Sequence, residues 1–205
     1  AVKRPVMAFP YGIKKHSAMA YLRQWLLKEQ KERGLRPWGH STYIAAQYLA
    51  DIVWDEVSAS TMPATRCMDW LRDVSKLAKG PIRWTTPVGF PVTQEYPKYK
   101  KHTITATVMD TAKYVRFRGA PVGLNTAQQA NGLPPNYIHS LDSAALMRTM
   151  NVCADAGIDS FSMIHDSYGC PAGQAPRMGK ILREVFAEMF SGNLLDEFRD
   201  EVTLY

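Results

Sequence analysis

Cysteine is scarce in this chain, and long apolar runs are missing from it. The 205 residues include three cysteines, Cys67, Cys153 and Cys170, which lie far apart and form no Cys-x-x-Cys pair. This spacing indicates neither a zinc site nor a disulfide framework and is typical of reduced intracellular thiols. No apolar segment is long enough to span a bilayer, and no signal peptide is recognisable. A soluble intracellular protein without a membrane partner is therefore expected.

The nucleophile signature Gly-x-Ser-x-Gly is also missing. His165 directly adjoins Asp166, whereas a Ser-His-Asp hydrolase uses its carboxylate to position the histidine across the fold. A hydrolase of that kind is therefore a poor fit to this sequence.

The composition is that of a globular protein with a moderate excess of positive charge. Hydrophobic residues make up 46% of the chain and charged residues 21%, which argues against a disordered protein. The formal net charge of +6 favours an anionic partner, with nucleic acid as the first candidate. Many enzymes that act on small molecules carry a similar charge, so the charge alone does not decide the function.

Helical periodicity dominates the first 80 residues. Apolar residues recur at three- and four-residue steps over 13–34, with Gly34 as a cap, and again over 42–58. A third helix is predicted from about Pro63 to just before Gly80. The aromatic side chains of these helices are expected mainly in the core.

Strand patterns follow the helices. Residues 103–108 and 113–118 alternate in polarity around a turn at 109–112, which predicts a β-hairpin. The glycines and prolines of 119–135 predict a loop. A helix from about Pro134 is expected to carry His139 and Asp142, and Asp142 is interpreted as an N-terminal carboxylate favoured by the helix dipole. An amphipathic helix is predicted over 175–190.

The segment 160–170 is the centre of the functional prediction. It reads as a short apolar strand, a polar turn with Asp166 at its apex, and a second short strand. A carboxylate fixed by two strands suits a metal ligand, and Mg²⁺ takes one or two such carboxylates together with phosphate oxygens. Taken alone, Asp166 and Ser167 are better explained as an ordinary turn, because both residue types favour turns through local hydrogen bonds.

Three motifs, the last of which contains this turn, indicate a function more specifically than the turn does alone. The chain opens with Lys3-Arg4-Pro5-Val6-Met7-Ala8-Phe9-Pro10-Tyr11-Gly12, continues to Pro135-Asn136-Tyr137-Ile138-His139-Ser140-Leu141-Asp142, and then reaches Ile164-His165-Asp166-Ser167. In this order they resemble the C-terminal half of a single-subunit, bacteriophage-type DNA-directed RNA polymerase. The resemblance covers nearly the whole chain, including 89–91 and 94–96.

The resemblance implies a set of site residues. It implies that Lys3 and Asp166 are catalytic, with Lys3 on the triphosphate of the incoming nucleotide and Asp166 holding Mg²⁺. Nucleotide binding is implied for Lys3, Arg4, Tyr11, His139 and His165. In that family, the residues matching Tyr11 and His139 together recognise the ribose 2′-hydroxyl, the group that distinguishes RNA precursors from DNA precursors.

The resemblance also implies a promoter-reading hairpin at about 93–120. DNA binding is implied for Arg116, Arg118, Lys100 and Lys101. Alternation places the two arginines on one face, and arginine matches the O6 and N7 acceptors of guanine in the major groove. The alternative is an ordinary hairpin with basic residues on its solvated face.

The fold implied is α+β. Residues 1–138 would form a mostly helical fingers-like part with the inserted hairpin, and 139–205 would form the C-terminal part of a small antiparallel palm. A palm usually holds two metal ions through two carboxylates, and the family's other aspartate lies upstream of the lysine motif, before this chain begins. The chain, which has no initiator Met, is therefore expected to be a piece that is not competent alone.

The expected partners follow from the same resemblance. They are a double-stranded promoter DNA, ribonucleoside triphosphates, the RNA product and an N-terminal polymerase portion, in the cytoplasm of a bacterial host. One alternative is a fragment of a family A DNA polymerase, although that family usually has Glu where this chain has Ser167. Another is a non-catalytic DNA-binding remnant of a polymerase.

Overall fold

The computed structural model of this protein describes residues 1–34, 39, 41–78, 80–109 and 111–203. Helices dominate, and the strands pair into three antiparallel hairpins, so the expected α+β class is confirmed. The helices are α1 (Lys3–Ala8), α2 (Lys15–Arg33), α3 (Thr42–Ser60), α4 (Met62–Leu77), α5 (Thr126–Asp155), α6 (Ala175–Met189) and α7 (Leu194–Thr203). The strands are β1 (Ile82–Thr85), β2 (Pro91–Gln94), β3 (Pro97–Val108), β4 (Thr111–Leu124), β5 (Ser162–Ile164) and β6 (Ser167–Gly169).

The chain divides into two compact units, Ala1–Arg72 and Asp73–Tyr205. The division into a fingers-like part and a palm part at 138/139 stays a prediction, and both of those residues lie within the continuous helix α5. In the described ranges, no helix combines the length and apolar character needed to cross a membrane.

Small residues decide the packing of the first unit. Ala46 and Ala50 lie one turn apart on α3 and are buried against Leu22 and Leu26 of α2. Because their side chains are short, the two helices approach closely. The expectation that the aromatic residues of these helices belong mainly to the core is wrong for Tyr48, which is 66% exposed. Ile44 and Ile52 of α3 are exposed as well, because the alanine face is the one that packs against α2.

The second unit is built around a buried aromatic cluster. Trp84 of β1 is 1% exposed and contacts the rings of Tyr137 and Phe198, with centroids 6.2 Å and 5.9 Å away. Its indole Nε1 donates a hydrogen bond of 2.9 Å to Ser140 Oγ of α5. Glu201 of α7 accepts hydrogen bonds from the backbone N–H and the hydroxyl of Thr85, at 2.8 Å and 2.7 Å. These contacts join β1, α5 and α7 into one body.

The loop predicted for 119–135 is wrong. β4 continues to Leu124, and α5 begins at Thr126 and runs through Pro134 and Pro135. Proline lacks the N–H that an interior helical residue donates, at a cost of about 3 kcal/mol. Full burial of Pro134 helps to offset this cost.

Side-chain hydrogen bonds hold this part of α5 against β2. Gln94 and Gln129 each donate from their side-chain amide to the other's backbone carbonyl, both at 3.0 Å. Asn136 donates to Gln94 Oε1 at 2.7 Å and to the Tyr96 hydroxyl at 3.1 Å. Tertiary contacts on both sides of the two prolines therefore override the local signal of the sequence.

Candidate active site and nucleic-acid interface

The first motif forms a short helix followed by a tight turn. Lys3 and Arg4 are exposed on α1, and the Arg4 guanidinium donates to Gln24 Oε1 at 3.4 Å. Phe9 packs edge-on against Trp54 of α3, with ring centroids 4.7 Å apart. Tyr11 follows in the turn and is 39% exposed. The predicted end of the helix before Tyr11 is confirmed.

Gly12 is required by the geometry of this turn. Its φ is +81°, in the left-handed region that residues with a Cβ rarely adopt. A Cβ at this position would also collide with the guanidinium of Arg72, which lies over the glycine backbone. Arg72 is itself paired with Asp69. The positive φ of Gly12 therefore defines the turn that carries Tyr11.

A groove of about 570 Å³ adjoins the cationic residues of α1. Lys3, Arg4 and Lys28 supply positive charge along it, and Tyr21 and Trp25 provide aromatic walls. The sequence reasoning assigned these aromatic residues to the core and did not include Lys28. A helical projection places Tyr21, Trp25 and Lys28 on one face of α2, which is the signal that could have identified the groove.

Asp166 occupies the position that the sequence indicated. β5 and β6 pair antiparallel with Ile164 opposite Ser167, so His165 and Asp166 alone form the turn. Both turn residues are exposed. His165 has a φ of +55°, which is uncommon for a residue other than glycine, and strained backbone of this kind clusters at functional sites.

The hairpin is anchored by the core of the second unit. Met163 of β5 and Tyr168 of β6 pack against a buried cluster that α5 and α6 help to form. The cluster consists of Cys153, Ile158, Met178, Ile181 and Val185. The apex is therefore accessible while the strands below it are held in place, which is the arrangement that a positioned ligand requires.

The interpretation of Asp142 as a carboxylate at the N-terminus of a helix is wrong. It lies well inside α5 rather than at its N-terminus, so the helix dipole does not explain it. Burial raises the pKa of the Tyr168 hydroxyl, and the negative charges of Asp142 and Asp166 raise it further. Two carboxylates, one on α5 and one in the β5–β6 turn, thus act on the same hydroxyl.

This arrangement predicts a measurable change in Tyr168. The Asp142→Asn substitution removes one of the two negative charges, so the pKa of Tyr168 should fall while remaining above its ordinary value, because burial persists. A ¹³C NMR titration of the tyrosine Cζ signals measures this shift. Asp155→Asn, at the exposed end of the same helix, should leave Tyr168 unchanged. If the pKa of Tyr168 is the same in Asp142→Asn as in the wild type, Asp142 does not lie near the hairpin.

His139 lies one turn before Asp142 on α5 and is exposed. It lines a groove of about 540 Å³ together with Asn136, Ser143 and the apolar residues Phe90 and Met147. The neighbouring Ser140 donates to the backbone carbonyl of Tyr137 at 2.7 Å and accepts from Trp84, which fixes the orientation of this part of the helix. A histidine held in this way can donate or accept one hydrogen bond in the groove.

A complete metal site is not present in the described part of the chain. There, no three His, Cys, Asp or Glu side chains lie close enough together to hold an ion. Asp166 offers one exposed carboxylate, and Asp142 lies within electrostatic range of the same tyrosine. Mg²⁺ usually binds through one or two carboxylates together with waters and substrate phosphates, so this donor set fits part of a magnesium site.

The β3–β4 hairpin carries the predicted DNA-binding residues. Lys101 pairs with Arg118 and Thr103 with Arg116, so these four side chains lie on one face. Arg116, Arg118, Lys100 and Lys101 are all exposed. The opposite face has His102 stacked on Phe117, with ring centroids 5.4 Å apart. The predicted turn includes Asp110, which lies outside the described residues.

The predicted site residues fall into both compact units. Lys3, Arg4 and Tyr11 lie in the first unit, where they share one helix and the turn after it. His139, His165, Asp166 and the basic hairpin lie in the second. Within the second unit, Asp142 of the helix that carries His139 and Asp166 of the turn both raise the pKa of the Tyr168 hydroxyl, although burial raises it more. The individual roles of these residues remain predictions.

Comparison with known proteins identifies the family. A family model described as DNA-dependent RNA polymerase matches residues 1–204. DNA-directed RNA polymerase 1B, mitochondrial, of Nicotiana tabacum is 33% identical over 205 residues, which cover 97% of this chain and 20% of that enzyme. DNA-directed RNA polymerase 3, chloroplastic, of Nicotiana sylvestris is 33% identical over 199 residues, covering 96% of this chain and 19% of that enzyme.

A shorter relative is covered more fully. DNA-directed RNA polymerase 2A of Nicotiana tabacum is 31% identical over 199 residues, which are 96% of this chain and 57% of that protein. The chain therefore spans about a fifth of the first two relatives and just over half of the third.

The comparisons also correct the expected location. The cytoplasm of a bacterial host was inferred from the resemblance to bacteriophage enzymes, and this prediction is wrong, because the matched relatives are named as mitochondrial or chloroplastic. The family itself is shown by a match that runs from the first residue to residue 204. The chain belongs to the DNA-dependent RNA polymerase family.

Proposed function

We propose that this chain is the C-terminal catalytic part of a DNA-directed RNA polymerase, which adds ribonucleotides to RNA under the direction of a DNA template. The observation that carries the proposal is the exposed Asp166 at the apex of a two-residue turn whose strands are anchored in the core. The family match over 1–204, a range that includes this turn, supports the proposal.

Asp166 is the proposed Mg²⁺ ligand. When bound, the ion supplies charge neutralisation at the reacting phosphate oxygens. Asp142, close to the same tyrosine hydroxyl, adds negative potential on that side of the turn. A second carboxylate ligand would come from the polymerase portion that the relatives carry outside the matched region, so we expect this chain to be inactive alone.

The cationic groove of the first unit is the proposed triphosphate contact. Lys3 and Arg4 are exposed there, and Lys28 lines the same groove. Cationic side chains stabilise the charge that builds up on the phosphates as the bond to the leaving pyrophosphate breaks. Arg4, as a planar fork of donors, is suited to hold a phosphate oxygen pair.

Tyr11 and His139 are the proposed readers of the ribose. Tyr11 is presented by a turn that depends on the positive φ of Gly12. His139 faces a groove that also contains Asn136 and Ser143. A phenol and an imidazole can both hydrogen-bond to a 2′-hydroxyl, which acts as donor and acceptor.

The family match disfavours the DNA polymerase alternative. A family A DNA polymerase would select deoxyribonucleotides, whereas the matched relatives are named RNA polymerases. A non-catalytic remnant would keep the basic hairpin without needing an exposed, core-anchored Asp166. The promoter-reading role of Arg116 on the hairpin belongs to the same proposal.

Sugar selection tests the proposal. We define the complemented polymerase as this chain supplied with the portion that the relatives carry outside the matched region. Its preference for NTPs over dNTPs should fall about 10- to 100-fold in Tyr11→Phe, because one hydrogen bond to the 2′-hydroxyl is lost. The measurement is kcat/KM for both nucleotide types on a primed template.

Tyr43→Phe is the matched control, because Tyr43 is an exposed tyrosine of the same unit. It should leave the preference unchanged. Preferential use of dNTPs by the wild-type enzyme would favour the DNA polymerase alternative. An unchanged preference in Tyr11→Phe would remove Tyr11 from sugar recognition.

A further inference from the structure

A cleft of about 740 Å³ lies at the base of the β3–β4 hairpin, where the hairpin meets the start of α5. Its walls include Tyr96, Lys98, Tyr99, Lys101, Arg118 and Gln128. The Tyr96 hydroxyl accepts a hydrogen bond from Asn136, and its backbone carbonyl accepts one from the N–H of Asn125. The floor of the cleft is therefore part of the packed second unit rather than of the projecting hairpin.

Positive charge is concentrated around this cleft. The hairpin, residues 97–124, contains six of the chain's basic residues and a single acidic residue, Asp110, so it accounts for five of the six excess positive charges. In the described part of the chain, no carboxylate lines the cleft. Among the residues that the structure describes, Lys98, Lys101 and Arg118 form no ion pair with an acidic side chain.

Two of these cations lie directly opposite each other. Lys101 and Arg118 are cross-strand partners, and like charges in that position destabilise a sheet. A carboxylate between them would relieve the repulsion, yet the described neighbours supply none. An anion from outside the chain would relieve it as well.

Arg118 is held at the base of the hairpin by an aromatic ring. Its guanidinium carbon lies 5.5 Å from the centroid of Tyr99, a cation–π distance. Arg118 is seven residues from Thr111, the first residue of β4. That separation corresponds to about 23 Å of strand. Arg118 therefore lies far from the turn end that would enter a groove of DNA most deeply.

We propose that this cleft anchors a backbone phosphodiester of the nucleic acid, independently of its sequence. The inference rests on the proposed function, which supplies a nucleic-acid partner. Arg118 presents its planar donors to the phosphate, Lys98 and Lys101 add charge, and Tyr99 packs against the adjoining sugar or base. Arg118 thereby acts as an anchor rather than as a reader of guanine, and sequence reading is left to Arg116 and the outer half of the hairpin.

The test compares binding of the 205-residue chain to two fluorescent duplexes of unrelated sequence across a salt titration. Arg118→Ala should weaken binding to both duplexes by the same factor, about tenfold, and should lower the salt slope by about one. Arg118→Lys, which keeps the charge, should restore most of the affinity. Arg83→Ala, an exposed arginine of the same unit outside the hairpin, should change neither quantity.

Three outcomes would overturn the inference. The first is that Arg118→Ala and Arg83→Ala bind the duplexes with equal affinity while circular dichroism shows that both variants are folded. The second is a loss confined to one duplex, which would make Arg118 a base reader. The third is ATP displacing the duplex from the wild type far more effectively than inorganic tripolyphosphate does, which would assign the cleft to free nucleotide. A wild-type chain that binds neither duplex would instead contradict the proposed nucleic-acid interface itself.

Discussion

Replacing Asp166 with Asn should lower nucleotide addition by the complemented polymerase about 10³-fold, a loss typical of removing one preorganised electrostatic group from an active site. Asn has nearly the shape of Asp but carries no negative charge, so it is a much weaker magnesium ligand. The side chain is exposed at the apex of its turn, so the substitution should leave the fold intact. Single-turnover extension of a primed template at saturating Mg²⁺ measures the effect.

A carboxylate nearby in sequence provides the control for Asp166. Asp159 precedes β5, is also exposed, and accepts a hydrogen bond from Ser160. Asp159→Asn removes the same charge from the same surface region and should retain nearly full activity. Activity of Asp166→Asn equal to that of Asp159→Asn would show that Asp166 is not the catalytic ligand.

Replacing Trp84 with Ala should reduce the free energy of unfolding of the second unit by about 3–5 kcal/mol, the usual cost of removing a large buried aromatic side chain. The indole is 1% exposed and packs against Tyr137 and Phe198. Its loss leaves a cavity and also removes the hydrogen bond to Ser140, the neighbour of His139. Urea denaturation followed by circular dichroism measures the change.

Trp25 offers the matched control for Trp84. It is 36% exposed on α2 and belongs to the first unit. Trp25→Ala should therefore cost much less than Trp84→Ala, because part of its surface already contacts water. Similar losses for the two substitutions would contradict the view that Trp84 organises the second unit.

Local signals in the sequence were sufficient for the end of α2, the start of α3 and the turn of Asp166. Ser41 caps α3 by accepting from the N–H of Ile44, and Gly34 ends α2 with a φ of +65°. The turn of Asp166 was recognisable because apolar residues alternate on both sides of it. These features depend on residues that are close together in the chain, so a single sequence can specify them.

Features that depend on distant contacts were not predictable in the same way. The two prolines of α5 indicated a loop, but burial of Pro134 and the paired amides of Gln94 and Gln129 keep the segment helical. Tyr48 of α3 was expected in the core but is exposed, because Ala46 and Ala50 form the face that packs against α2. In each case, tertiary packing outweighs residue preference.

For the same reason, only some residues of the candidate site were predicted. Motif resemblance indicated Lys3, Tyr11, His139 and Asp166, but it gave Asp142 only a role at a helix end. Its position near Tyr168 depends on how α5 packs beside the β5–β6 hairpin. The cleft beside Tyr99 likewise forms only when β3, β4 and the start of α5 come together.

The most direct test of the central claim is template-directed ribonucleotide addition with Mg²⁺, measured in three mixtures. They contain this chain alone, the complementary polymerase portion alone, and the two together. Activity only when both are present is the predicted result, and it should disappear in Asp166→Asn. Equal activity of the complementary portion with and without this chain would contradict the claim that residues 1–205 supply part of the catalytic site.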